Sequence, residues 1–545
     1  MASRHTIDWS RRDVQVITDA MRTSFHVVLH AVFSAGFVAA CAGAPPRVPD
    51  VPRPGTEPRL VVLLVIDQWP EWAFEAKRPA LTGGFNRLLR DGEWRVGEYP
   101  YASTITAVGH TLLGSGEPTS RSGILSNDWW HRDVERVLKA VEAEDHSLTT
   151  KWLRVPGLAD ALAAAKTGGK AVSVSLKDRA AILPLGHTGT PIWYDHKRVA
   201  WTSLVPVPWL AAWNAENPIS AHLHDIWTPL PETPGLAGIP DDAPGETSEK
   251  GLGTTFPHVL DATKDASDAI YATPMGNDIV LETATAAIDR EHLGADAHAD
   301  LLVVSLSAHD YIGHGWGQES WESWDTVLRL DRRLDKFFAD LDTKVGAGRW
   351  AMIVTSDHGA SPMPESLRGG RVNLAQIKDA ANRAAVAELG PGDWIAHVGV
   401  PTVYLSKAAL AQKPKQLATA ITKIVYALRS FPGLARVEKS AHFWGHCETR
   451  TGDALVLCAT LDPERSGEVI YLPGPGWIIE DDEEPLATSH GSTQAYDRQV
   501  PVILLPPGRT SHAAVAAPDP TTIPMTRIAT ILARWLGAPP PSTLH

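Results

Sequence analysis

Cysteine is nearly absent from this chain: three residues in 545, at positions 41, 447 and 458. Neither a disulfide framework nor a thiolate zinc cluster can therefore organise the fold. Excess positive charge is also lacking. With 50 Lys and Arg against 63 Asp and Glu, the formal net charge is −13, which argues against nucleic acid as a specific partner, because a phosphate backbone needs a Lys/Arg-rich face. Long apolar runs are missing after residue 41, and that excludes a multi-span membrane protein. Disorder is excluded as well, since 44% hydrophobic and 21% charged residues are values of an ordinary globular chain. At roughly 100–200 residues per domain, the length allows two to four units and a full core. Any anionic substrate must be held by a local positive site.

Where the cysteines stand says more than their number. Met21 to Cys41 reads MRTSFHVVLHAVFSAGFVAAC, with a basic residue near its start, an apolar stretch and small residues before a Cys. It resembles a bacterial lipoprotein signal in which Val38, Ala39, Ala40 and Cys41 form the lipobox. A short buried helix is the alternative, but the following APPRVPDVPRPGTEP (Ala44 to Pro58) suits a solvated tether. The expectation is a signal segment over 1–40, a Pro-rich tether over 41–58, and export to the periplasm or to the outer membrane through a lipidated Cys41. In an oxidising compartment Cys447 and Cys458 would be able to pair.

From Leu60 the pattern changes. LVVLLVI (Leu60 to Ile66), LLVVSLS (Leu301 to Ser307) and WAMIVTS (Trp350 to Ser356) are strand-length apolar runs without polar alternation, as expected of strands buried on both faces of a parallel sheet. Between them lie amphipathic stretches such as Trp324 to Leu341, where Val327, Leu328, Leu330, Leu334, Phe337, Phe338 and Leu341 recur at helical spacing. The fold class is α/β, with a mostly parallel central sheet flanked by helices. Two regions interrupt the alternation: 192–258, rich in Trp and Pro, is expected to lie over the sheet's edge, and 371–469 reads as a small α+β subdomain. In that subdomain Lys415 to Arg429 is expected as a helix, and PTVYLS and DALVLCATL as short strands.

The chemistry sits where the buried strands end. The first run ends in Asp67, the second leads into SAHDYIGH with Asp310 and His314, and the third into SDHG with Asp357 and His358. Ligands of doubly wound sheets bind outside the carboxyl ends of the strands. One Asp after a strand is usually a helix cap; three such ends carrying Asp and His are hard to assign to caps. Carboxylate and imidazole without thiolate suit zinc or a similar divalent ion in an open catalytic site. Five ligands exceed what one tetrahedral catalytic zinc takes, so two metals are the economical reading. YASTITAVGHTLLGSG (Tyr101 to Gly116) adds a hydroxyl, from Thr104 or Thr106, at a helix start that favours an anion, although either could be an N-cap. His490, in ATSHGS, is the leading candidate for a further ligand.

TAVGHT with the downstream SND, SLKDRAAILPLGH, HDYIGH, SDHG and the late SHGS together resemble the alkaline phosphatase superfamily. More narrowly, they resemble its single-chain, Thr-nucleophile bacterial alkaline phosphatases, related to the type I phosphodiesterase/nucleotide pyrophosphatase group. The resemblance runs from about Leu60 to the last helix, which implies one catalytic domain over 59–545 carrying both insertions. It implies one zinc bound by Asp310, His314 and His490, and a second bound by Asp67, Asp357, His358 and the nucleophile Thr106. It makes Asn127 a ligand of a phosphoryl oxygen. It also makes Lys177 and Arg179, which by spacing alone read as surface charges, contacts of the substrate's non-bridging oxygens.

The implied activity is hydrolysis of phosphate monoesters through a phospho-threonine, on small phosphorylated substrates and in a monomer. A diesterase of the same superfamily would typically lack the Lys/Arg pair, and is the second expectation. A lipoprotein that binds phosphorylated ligands without turnover is the remote third. A sulfatase is disfavoured because no Cys lies near the nucleophile position.

Overall fold

The structure, a computed structural model, describes residues 55–481, 485–508 and 519–544. The expected signal segment, Cys41 and most of the tether lie outside the described residues. Among those described, no helix is long and apolar enough to cross a membrane.

The main sheet is built from β1 (Leu60–Ile66), β2 (Glu93–Glu98), β3 (Ala171–Ser175), β4 (Thr190–Asp195), β5 (Ala200–Ser203), β6 (Asp300–Leu306), β7 (Trp350–Thr355), β8 (Gln499–Leu505) and β9 (Asp519–Pro524). Their spatial order is β9-β2-β8-β7-β1-β6-β3-β4-β5. β7, β1, β6, β3 and β4 run parallel to one another, while β8 is antiparallel to β7 and β5 to β4. In the middle, Leu60 of β1 faces both Asp300 and Trp350, so the three apolar runs start level and end level.

Two helical layers explain why those runs lack polar alternation. Leu60, Val62, Leu64 and Ile66 pack with Val327, Leu330, Leu334, Phe337 and Phe338 on one face. Val61, Leu63 and Val65 pack with Leu112, Leu113, Ile528 and Leu532 on the other. All seven β1 side chains are fully buried, each worth about 1.5–3 kcal/mol against exposure. The amphipathic stretch is a helix over Trp321–Leu341, one turn longer than its apolar spacing begins, because Ser320 caps it by accepting the Ser323 N–H at 3.1 Å.

Both unusual regions depart from the sequence expectation in part. Region 192–258 does not begin as an overlay: its first residues finish β4 and form β5, the outer edge of the main sheet. Further on, the Thr247 N–H donates to the Gly315 carbonyl at 2.7 Å, so the end of this region packs on the helix that carries Asp310. In region 371–469 a four-stranded antiparallel sheet, ordered Ile395–Gly399, Thr402–Leu405, Val469–Pro473, Leu434–Lys439, packs on helices Leu374–Leu389 and Pro414–Arg429. DALVLCATL, expected as a strand, is instead a helix over Gly452–Thr460. A short apolar run has no period that separates the two states. Here tertiary packing decides, with Val456 and Leu457 against Phe443, Ile470 and Leu472. Cys458, on that helix, is disulfide-bonded to Cys447, Cα to Cα 5.6 Å.

Candidate active site

Four neighbouring parallel strands deliver the site. Asp67 directly follows β1; Asp357 and His358 follow β7; Lys177 comes two residues after β3. β6 leads into helix α3 (Ala308–Trp316), where Asp310 and His314 stand four residues apart on one face. His490 arrives on a loop fixed at several points. The Gly491 N–H donates to Thr104 Oγ1 at 3.0 Å, the Ala487 N–H to the His314 carbonyl at 2.7 Å and the Ser361 N–H to the Ser489 carbonyl at 3.0 Å. Thr104 is thus a loop anchor, and Thr106 is the first residue of helix α1 (Thr106–Ser115), whose N-cap is Ile105. Neither threonine caps the helix.

The potential ligand atoms form two groups. Asp67, Asp357 and His358 make one; Asp310, His314 and His490 make the other, with the atoms of each group within 4.8 Å of one another. The histidines are oriented by what their second nitrogens do. His358 Nδ1 donates to the Gly359 carbonyl at 3.0 Å, and His314 Nδ1 to the Thr488 carbonyl at 2.9 Å. Each then turns its Nε2 inward, as metal-ligating histidines do. His358 Nε2 lies 3.5 Å from Thr106 Oγ1, Asp67 Oδ1 and Asp357 Oδ2 alike. His314 Nε2 lies 3.3 Å, and His490 Nε2 3.8 Å, from Asp310 Oδ1.

Charge in this space is unbalanced. Burial, with Asp310 and Asp357 nearby, pushes the Asp67 carboxyl well above its usual range. Burial opposes charge on Asp310 too, but Lys177 and His314 hold it well below that range. Burial keeps His358 and His490 neutral, the form a metal needs. Between the groups stands the buried cation Lys177, whose Nζ lies 2.7 Å from Asp67 Oδ2 and 2.5 Å from Asp310 Oδ2. Within the two ligand groups, Asp67 Oδ1, Asp357 Oδ2 and His490 Nδ1 are buried atoms without a hydrogen-bond partner among the described residues. Buried carboxylates and neutral imidazoles with lone pairs unused are a donor set that fits divalent cations.

The remaining expected residues join the same cluster. Asn127 Oδ1 accepts the Ala107 N–H at the start of α1 at 3.0 Å and Arg179 Nε at 2.9 Å, so Asn127 ties the Thr106 backbone to the guanidinium. Arg179 lies on helix α2 (Asp178–Ile182), and Lys177 is its N-cap residue. Lys177 is therefore not a surface charge, at 3% exposed, whereas the Arg179 side chain is 22% exposed.

Other residues of the site carry no signal in the sequence. His110 donates from Nδ1 to the Thr106 carbonyl at 2.9 Å, and its ring lies 3.1 Å from Asp357 Oδ2. A β-carbon at Gly109 would overlap the Asp357 carbonyl, so only glycine lets α1 approach this closely. The spacing of TAVGHT contains both residues, but only the tertiary contact gives them meaning.

A family model, type I phosphodiesterase/nucleotide pyrophosphatase, matches residues 61–497. The chain belongs to that family. Alkaline phosphatase PhoV of Synechococcus elongatus is 35% identical over 350 residues, 59% of this chain and 64% of that protein, so the match spans just under two thirds of it. Alkaline phosphatase PafA of Elizabethkingia meningoseptica is 29% identical over 84% of this chain and 87% of its own. The crystal structure of wild-type PafA superposes with a TM-score of 0.79 at 27% identity, covering 90% of this chain and 98% of that one. The fold is that of the alkaline phosphatase superfamily.

Proposed function

We propose that this chain hydrolyses phosphate monoesters through a phospho-threonine on Thr106, at a site holding two zinc ions. Family and relatives give the coarser statement: the chain is a phosphoric monoester hydrolase of the alkaline phosphatase kind. The finer reading rests on one arrangement, Lys177 and Arg179 set beside Asn127, Thr106 and both ligand groups. Support also comes from a solved PafA variant changed at a threonine, an asparagine, a lysine and an arginine. The first two lie 21 positions apart and the last two lie two apart, the same separations as Thr106 to Asn127 and Lys177 to Arg179.

Asp310, His314 and His490 would hold one ion, and Asp67, Asp357 and His358 the other. Bound zinc would supply Lewis acidity, lowering the pKa of the threonine hydroxyl and of water and offsetting charge on the phosphoryl oxygens. The chain's own groups do the positioning. Thr106 Oγ1, stripped of its proton, forms the bond to phosphorus while the ester oxygen leaves with its bonding pair; water then splits the phospho-threonine to phosphate and restores the hydroxyl. Asn127 is held by its Oδ1, so its amide N–H is left to donate to a phosphoryl oxygen. The N-terminus of α1 and Arg179 add positive potential where the transferring group carries three charged oxygens.

Two further readings go with this. Cys447 and Cys458 as a disulfide fit export to an oxidising compartment, with Cys41 as the site of lipid attachment. The family's description favours a diesterase as the second reading of the activity. The deciding experiment assays an aryl phosphate and a diester in parallel on zinc-loaded protein, before and after Lys177→Ala with Arg179→Ala. Monoester turnover is expected to dominate and to fall about 10²-fold or more in the double variant. Dominant diester turnover that survives the change would replace the monoesterase reading with the diesterase one.

A further inference from the structure

Gln68 belongs to neither ligand group, yet it touches both. Its backbone sits at φ 58°, in the left-handed region that a residue with a long side chain seldom adopts. From there its N–H donates to Asp357 Oδ1 at 3.2 Å, and its side-chain Nε2 donates to Asp310 Oδ1 at 2.8 Å. One residue thus holds a carboxylate in each group.

The side chain of Gln68 is itself held from behind. Gln318 Nε2 donates to Gln68 Oε1 at 3.0 Å and to the Gln68 carbonyl at 3.1 Å. Ser323 Oγ donates to Gln318 Oε1 at 3.4 Å, and Lys77 Nζ donates to Ser323 Oγ at 2.5 Å. Gln68, Gln318, Ser323 and Lys77 are all buried, none more than 2% exposed. Every donor in the row points the same way, from the Lys77 amine to the Asp310 carboxylate. That fixes the orientation of both amides: turning Gln68 would set N–H against N–H and oxygen against oxygen, and turning Gln318 would set its Oε1 against two Gln68 oxygens. The fit is tight as well. Gly313, on α3 between Asp310 and His314, leaves the space for it: a β-carbon there would overlap Gln68 Oε1 and come within 2.5 Å of Gln318 Nε2.

We propose that Gln68 is the positioning residue that keeps Asp310 and Asp357 in register for a pair of divalent ions, with Gln318, Ser323 and Lys77 setting its orientation. The proposal rests on the two-metal reading above. A buried glutamine kept only for packing could be replaced by a methionine of similar length, and its loss would leave the ligands where they are. A row of donors that ends on a ligand oxygen, carried by a residue in left-handed backbone, has a different consequence. Its loss leaves Asp310 held at Oδ2 by Lys177 but without its Gln68 donor at Oδ1, and weakens metal binding in a folded protein.

The test uses the full chain, stripped of metal and titrated with zinc against a chromogenic chelator, with the visible spectrum of the cobalt(II)-loaded protein as a second readout. Gln68→Met is expected to weaken zinc binding about 10–100-fold and to shift the cobalt bands. Gln318→Met, which touches no ligand, is expected to act in the same direction by a smaller factor, about 10-fold or less. Gln68→Met with unchanged zinc affinity and an unchanged cobalt spectrum overturns the proposal. Should Gln68→Met fail to fold by circular dichroism, Gln318→Met decides by the same two readouts. A wild-type chain that bound neither metal would overturn the two-metal reading and this proposal together, whereas a wild type that binds zinc and variants that match it overturn this proposal alone.

Discussion

The two ligand groups have the same chemistry, carboxylate and imidazole, but are built differently. Asp67, Asp357 and His358 stand directly at the ends of β1 and β7 and are fully buried, side chains at 0%. Asp310 and His314 stand on a helix, and His490 on a loop nearly 180 residues further along; His314 is 18% and His490 10% exposed. The first group needs only the sheet. The second needs a helix, a distant loop and the contacts that hold that loop. The strand-borne half can be called rigid and the other adjustable, in the sense that more separate elements set its ligands; on the proposed mechanism the first would hold Thr106 and the second, more exposed, would face entering water.

Breaking each half separately sharpens this contrast. The largest effect belongs to the rigid half, where Thr106 stands: Thr106→Ala is expected to lower aryl phosphate turnover about 10³-fold or more, while zinc per chain by elemental analysis stays near the wild-type value. His490→Ala should cost the adjustable half its ion and spare the other. Zinc is then expected to fall from about two to about one per chain, and loss of both would mean that the groups load as one unit. A smaller change tests the loop's anchor. Thr104→Val removes the acceptor of the Gly491 N–H and should weaken zinc binding at one ion by about 10-fold, a biphasic titration with only one phase moved.

The smallest effect concerns the residue that joins the halves. The Asp497 carbonyl accepts the Gly359 N–H at 2.9 Å, beside His358, and its carboxylate accepts the Ser492 N–H at 2.9 Å, beside His490. Burial pushes its carboxyl up to about 7 from 3.8. Between those values the folded chain holds a proton that the unfolded chain has lost, so this group's contribution is full below pH 4 and declines as pH rises to 7. Asp497→Asn keeps the acceptor and removes the buried charge. Its melting temperature is expected to exceed that of the wild type by a few degrees at pH 8–9, with the gain shrinking toward pH 5.

The sequence disclosed the rigid half more fully than the adjustable one, for a physical reason. Strands buried on both faces are continuous apolar runs, so the Asp after each stands out, and register places Asp67 and Asp357 together without further information. His490 has no such frame; on residues alone it was a lone loop histidine, and its motif's resemblance to a family gave it a role. Gln68 and His110 were silent because a polar residue beside a motif looks the same whether it faces water or a buried carboxylate; Thr104, read as an alternative to Thr106, proved to be the anchor of the His490 loop. DALVLCATL failed for the opposite reason: nine mostly apolar residues fit a strand or a helix, and a disulfide and a side cluster chose the helix. The first strands of region 192–258 were hidden by the Trp and Pro around them.

The order β7-β1-β6 has a consequence of scale. Neighbouring strands of a sheet lie about 4.7–4.9 Å apart, and paired ions that share one displacement lie about 3.5–4 Å apart. A central strand with a parallel neighbour on each side thus offers three attachment points, the outer two about 9–10 Å apart. Here the outer two lead to different ligand groups, and β1 supplies Asp67 between them. On the two-metal proposal it is therefore the inward reach of the Asp310 and Asp357 side chains toward Asp67, and not the sheet alone, that would bring the ions to that separation.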